Sequence, residues 1–345
     1  MPTYEIDGPD AYRLLKKNPM SRWYKEGADP TDSAGDLAVQ RMKQPFFKPR
    51  LTPGFSIRRK DRIFAIGSCF ARGIEKVLMH QGFAMESAAT EFDAFELRAK
   101  GATPLGFTNK YTTFSILNEL RWALDPAESF PDEGFVQIGD NEWADPHTNP
   151  TLEFVDLERT RERRRIITDV TARIAHCEVA IITLGLIETW LDRKTGLYTN
   201  MAPIPAMMER EPERWAFHVL DFDQNRRNLE AIHELLTAHG APGLNVVVTV
   251  SPVPLMATFS ERDVVVANTY SKSVLRAAAE DWAAQFSNVH YFPSYEIVLN
   301  SRRDLAWTED ARHVPGPMVK HITDFFLETY LEESSSTDPG LETGE

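Results

Sequence analysis

From residue 62 onward, short apolar runs alternate with longer stretches whose apolar residues recur at helical spacing. Arg62–Gly67 (RIFAIG) reads as a buried strand leading into a helical pattern over Arg72–His80. Val179–Leu184 (VAIITL) follows a helical stretch from Leu157 to Ile174, and Asn245–Val250 (NVVVTV) follows one from Asp223 to His239. Val289–Phe292 (VHYF) follows a long helical stretch from Val265 to Phe286. An amphipathic helix from Pro317 to Leu331 closes the series, and another is predicted over Thr113–Ala123. Continuous β-branched strands without polar alternation are buried on both faces, which implies a parallel sheet with helices on either side. The prediction is a doubly wound α/β fold whose site lies at the carboxyl ends of the strands.

The two ends break this rhythm. Residues 1–60 are polar, spotted with aromatics and interrupted by Pro30, Pro45, Pro49 and Pro53. They read as an extended arm that wraps the domain and carries one short helix near Pro9–Lys17. Residues 334–345 are small, polar and acidic, the composition of a disordered tail. The folded domain is therefore expected over 61–333.

Composition narrows the function classes. With 345 residues, 42% of them hydrophobic, the chain can bury a core without disulfide help. Cys69 and Cys177 are far apart and neither has a partner at metal-ligand spacing, so no disulfide, metal or cofactor is expected. A net charge of −13 argues against nucleic acid as a partner, because phosphate binding needs clustered cations. The basic run Arg161–Arg165 (RERRR) has acidic neighbours and reads as a solvated helix face. No secretory signal and no membrane span is visible, which makes the cytoplasm the expected compartment. Oligomeric state is not legible.

The first candidate for chemistry is the turn Gly67-Ser68-Cys69 at the end of the first strand. A hydroxyl there faces the N-terminus of a helix, where positive potential stabilises a developing oxyanion. Serine is also a good N-cap, and the turn alone does not separate the two readings. Cys69 is a competing nucleophile, although a side chain one position past the turn is expected to point into the packing beneath the helix. The second candidate is Asp310-Ala311-Arg312-His313, before the last helix. Asp310 and His313 are spaced to project from one turn, so that the carboxylate fixes the imidazole tautomer and the imidazole takes a proton from a hydroxyl. A surface loop with two polar residues is the plain alternative. The order, with serine after the first strand and D-x-x-H before the last helix, resembles that of the SGNH superfamily.

The resemblance is closer to the GSCFA family, whose name is the motif at Gly67–Ala71. Further blocks resemble the family at Thr183–Trp190 (TLGLIETW), Thr249–Pro254 (TVSPVP), Ser271-Lys272 with Leu275-Arg276, and Tyr291–Glu296 (YFPSYE). The resemblance implies an SGNH-hydrolase-like, flavodoxin-like fold and esterase chemistry, with Ser68 as nucleophile, His313 as general base and Asp310 as its orienting partner. One departure stands out: Ile187 falls where the superfamily's third block has an oxyanion-donating Asn. Substitute donors or substrate contacts are sought at the Ser68 N–H, Gly106, Asn109 and Gly185, and Glu188 is a candidate for contacting substrate hydroxyls. Trp143, Trp190 and Trp307 are candidates for a sugar-stacking wall or for plain packing.

The expected function is removal of a short acyl group, such as acetyl, from a carbohydrate or similar alcohol, with a small-molecule or glycan ester as substrate. Alternatives are an acyltransferase with the same acyl-enzyme and a catalytically silent glycan- or protein-binding module. Nucleotide binding is disfavoured because no Gly-rich loop follows any strand.

Overall fold

The computed structural model describes residues 5–98, 106–107, 109–149 and 151–332; the acidic tail predicted over 334–345 lies outside them. In chain order the elements are α1 (Gly8–Lys17), α2 (Ala38–Arg41), β1 (Arg62–Gly67), α3 (Cys69–His80) and β2 (Ala84–Met85). Next come α4 (Thr113–Leu124), β3 (Val136–Gln137), β4 (Trp143–Ala144), α5 (Leu157–Ala172) and β5 (Val179–Leu184). Then follow β6 (Glu188–Asp192), β7 (Leu197–Tyr198), α6 (Pro205–Arg210), β8 (Trp215–Val219), α7 (Phe222–His239) and β9 (Asn245–Val250). The chain continues through α8 (Val264–Gln285), β10 (Val289–Tyr291), α9 (Ser294–Asn300), α10 (Arg303–Ala306) and α11 (Gly316–Tyr330).

The central sheet has the order β10-β9-β5-β1-β2, and its pairings are parallel. Strands β5 and β9 bury nearly every residue, as their unbroken apolar runs require. Alternate side chains feed two cores. Phe64, Ile66, Ala180, Ile182, Val246 and Val248 meet helices α4, α7 and α8 on one face. Ile63, Ala65, Val179, Ile181 and Val247 meet α3, α9 and α11 on the other. The sheet is doubly wound, and its order reverses between β1 and β5, where an open α/β sheet leaves a crevice at the carboxyl edge.

Helix α3 begins already at Cys69, ahead of the apolar periodicity, so its first turn abuts β1. The antiparallel sheet β7-β6-β8 and the pair β3-β4 are additions that periodicity does not single out. They are short, and partly exposed strands carry too few apolar positions to register. Residues 45–57 run against the C-terminal helices. There Phe47 N–H donates to Ser301 Oγ (2.8 Å), and Ile57 pairs with Leu331. None of the residues of α1 is buried. Among the described residues, no helix is long and apolar enough to cross a membrane.

The run Arg161–Arg165 corrects the expectation of a solvated face. Arg163 and Arg164 are buried; Arg163 reaches Glu96 (2.5 Å), and Arg164 reaches Glu119 (2.6 Å) and Asp145 (3.4 Å). Lys110 completes the network, with Nζ 2.5 Å from Glu119 and donating to the His147 carbonyl at 2.6 Å. Acidic partners far away in sequence neutralise these cations, which local charge pattern does not reveal.

Candidate active site

Gly67 holds φ at +134°, and a Cβ there would lie 2.2 Å from the Thr183 carbonyl oxygen. Glycine is thus a steric requirement of the turn that ends β1. Ser68 follows in extended conformation at the N-cap position of α3, yet its hydroxyl makes no capping bond. It is 3% exposed, and Oγ has no hydrogen-bond partner among the described residues. The capping reading therefore loses its support, and a buried hydroxyl without a partner is costly unless it serves something else.

Gly185, just past β5, approaches this turn. A Cβ on it would lie 3.3 Å from Ser68 Cβ and 2.7 Å from the Tyr111 carbonyl oxygen. Among the described residues its N–H donates to no acceptor, while its carbonyl accepts from Lys272 Nζ at 2.7 Å. The neighbouring peptides are pinned, Leu186 N–H by Tyr111 O (2.9 Å) and Ile187 N–H by Ser271 Oγ (3.2 Å). The Ser68 N–H, a candidate oxyanion donor by sequence, is instead spent on Thr183 O at 3.0 Å. Continuation of the parallel ladder one residue beyond β1 is the reason.

A cavity of about 390 Å³ opens over the strand ends and is lined by Ser68, Cys69, Tyr111, Gly185, Glu188 and Arg312, with an apolar wall that includes Trp190, Leu255, Met256 and Phe259. Cys69 thus faces the cavity rather than the packing beneath α3, because α3 starts directly at this residue. Burial pushes its thiol pKa up, against the pull of Arg312 and Lys272, which disfavours a thiolate. Burial likewise raises the Tyr111 phenol to about 12.

Glu188 lines the cavity and also ties down its rim, accepting from Thr258 Oγ1 (2.6 Å) and Phe259 N–H (3.3 Å). Gly106 and Asn109 are not in the cavity wall. Gly106 O accepts from Asn149 Nδ2 (3.3 Å), and buried Asn109 bridges to Gly67 with Oδ1 lacking a partner among the described residues. Of the three tryptophans, Trp190 alone lines this cavity; Trp143 lines a separate one, and Trp307 packs against the core under α11.

Asp310 and His313 are brought together in an exposed loop. Asp310 Oδ2 lies 2.5 Å from His313 Nδ1, while Oδ1 accepts from Thr308 Oγ1 (2.6 Å), Arg312 N–H (2.9 Å) and His313 N–H (3.0 Å). The Thr308 hydroxyl above all, then the two backbone N–H groups and the imidazole, hold Asp310 well below the usual carboxylate range. Arg312 Nη1 sits 3.1 Å from His313 Nε2. A guanidinium can only donate, so Nε2 accepts and Nδ1 carries the proton toward Asp310. That is the tautomer of a general base, but its lone pair is directed to Arg312, and Arg312 rather than His313 lines the cavity.

Lys272 was not singled out for a role by sequence. It is fully buried on α8 beneath Gly185, and its only signal is a cation on a face otherwise made of Ser271, Val274, Leu275 and Ala279. Burial pulls its pKa down to about 7, opposed by Cys69 and assisted by Arg312. Between that value and about 10.4 for an unfolded lysine, the unfolded chain binds one more proton than the native state. Stability from this group therefore rises with pH across that window, by at most about 1.4 kcal/mol per unit. Urea midpoints measured from pH 6 to 9 are expected to climb more steeply in the wild type than in Lys272→Met. Parallel curves would mean that the ammonium keeps its proton in place.

Among the described residues no group of three or more His, Cys, Asp or Glu could hold a metal ion. The topology, with the serine turn at the switch point, is that of a doubly wound parallel α/β protein. The sequence matches the GSCFA family over residues 62–326, and the chain belongs to that family. No curated protein matches it in sequence. Solved structures similar to it include a family 3 carbohydrate esterase from Clostridium thermocellum, at 9% identity and TM-score 0.33, covering 78% of this chain and 94% of that one. A putative SGNH hydrolase from Slackia heliotrinireducens gives 11% and 0.35, covering 78% and 98%. A carbohydrate esterase family 3 protein from Talaromyces cellulolyticus gives 10% and 0.34, covering 77% and 94%.

Proposed function

We propose that this protein is a serine ester hydrolase of the SGNH type that removes a short acyl group from a carbohydrate or similar alcohol. The observation that carries the reading is Ser68: a buried hydroxyl at a strand-end turn, without capping bond or partner among the described residues, in the wall of a cavity that Gly185 also lines. In this reading Ser68 Oγ attacks the ester carbonyl and its proton passes to His313 Nε2. Asp310 holds the imidazole and stabilises the imidazolium that results. Negative charge on the carbonyl oxygen is met by the Gly185 N–H and the N-terminal turn of α3, a site where fixed dipoles act strongly. The imidazolium returns the proton to the departing alcohol, and water then repeats the sequence on the acyl-enzyme. Trp190 and Phe259, with ring centroids 5.1 Å apart, offer an apolar wall for a sugar face. Transfer of the acyl group to a second hydroxyl would use the same machinery.

A fluorophosphonate probe is expected to add one covalent phosphonyl group to the wild type, mapped by mass spectrometry to Ser68, and none to Ser68→Ala. One observation favours the silent binding module, namely that His313 Nε2 contacts Arg312. Folded protein that resists the probe over a wide range of time and concentration would support that module and remove the enzyme.

A further inference from the structure

Among the described residues, Arg312 is the one basic side chain in the wall of the Ser68 cavity. Among the described residues no carboxylate lies within ion-pair distance of its guanidinium; the acid of the cavity wall, Glu188, and the acid paired with His313, Asp310, are both committed elsewhere. Asp310 is held by Thr308, His313 and two backbone N–H groups, and Glu188 by Thr258 and Phe259. Among the described residues the guanidinium's one side-chain hydrogen bond is to the weak acceptor His313 Nε2, and its Nε is buried with no partner. The backbone is bent to achieve this. Ala311, immediately before it, has φ +53°, the only non-glycine positive φ among the described residues. A left-handed alanine costs on the order of 1 kcal/mol, so the loop spends stability to turn Arg312 inward.

We propose that Arg312 is the recognition site for an anionic group, of carboxylate chemistry, carried by the ester substrate. The inference rests on Ser68 and His313 acting as described above. The planar fork of a guanidinium matches a carboxylate at two points, a better use of its donors than a single imidazole nitrogen. Pairing with the substrate draws the guanidinium from Nε2 and leaves that lone pair for the Ser68 proton. A neutral ester lacks the means to do this, so preference for the anion appears in catalysis as well as in binding.

The carboxylate can sit on the acyl side or on the alcohol side, and two substrate pairs separate these. p-Nitrophenyl hemisuccinate against p-nitrophenyl butyrate tests the acyl side; 4-acetoxybenzoate against its methyl ester tests the alcohol side. The wild type is expected to favour the anionic member of one pair by at least about tenfold in kcat/KM, equivalent to roughly 1.4 kcal/mol. Arg312→Ala is expected to abolish or reverse that ratio, and Arg312→Lys to retain part of it. Because each ratio is internal to one variant, a general loss of stability does not imitate the effect. Equal use of both members by the wild type, or a preference that survives Arg312→Ala, overturns the inference. If no ester is turned over, calorimetric binding of succinate takes over as the readout. Saturable binding lost in Arg312→Ala but kept in Ser68→Ala upholds the anion site while the hydrolase reading fails, and no binding overturns both.

Discussion

Ser68→Ala is expected to lower kcat/KM on an activated acetyl ester by about 10⁴-fold or more, while Cys69→Ala changes it by less than about tenfold. The contrast follows from their surroundings. Both side chains reach the same cavity, but the Cys69 thiol is held protonated by burial, and a protonated thiol is a poor nucleophile. Ser68 has a hydroxyl without a partner among the described residues, in a cavity wall it shares with Gly185, and in the proposed mechanism His313 takes its proton. Steady-state kinetics on p-nitrophenyl acetate with both variants decide the matter. Loss only in Cys69→Ala would move the nucleophile by one residue.

Glu119→Ala is expected to cost about 3–5 kcal/mol of stability, read as a lowered urea midpoint with an unchanged slope. Burial pushes the Glu119 carboxyl up, but Arg164 and Lys110 together hold it ionised and low. Deleting it leaves Lys110 without its carboxylate partner and Arg164 with only the longer 3.4 Å contact to Asp145, both cations being almost inaccessible to water. The damage should also reach the site, because the Lys110 N–H donates to the Gly67 carbonyl at 2.8 Å and so helps hold the nucleophile turn. A cost below about 1 kcal/mol, the range of an exposed pair, would show that water enters the network.

Much of the scaffold is legible along the chain. The runs Arg62–Gly67, Val179–Leu184 and Asn245–Val250 are strands within the same bounds, since a strand buried on both faces must be apolar throughout. Helices α4, α7, α8 and α11 lie within a residue or so of their predicted limits, because one face of each meets a core. Gly67, Ser68 and the Asp310–His313 pair also carry local signals: a turn that needs glycine, a hydroxyl before a helix, and two side chains three residues apart.

What local pattern does not carry is which groups meet across the fold. Whether the Ser68 hydroxyl caps its helix, whether its N–H remains available, and which of Arg312 and His313 faces the cavity depend on β5 and on one left-handed alanine. Arg164 reads as a surface cation and Lys272 is given no role by local pattern, yet both are buried, one neutralised by Glu119 and the other hydrogen-bonded to the Gly185 carbonyl. The reason is physical. Apolar periodicity records how much of each segment leaves water, a property of neighbouring residues. The protonation and pairing of a buried group depend on partners tens of residues away, which only the folded chain brings within a few ångströms.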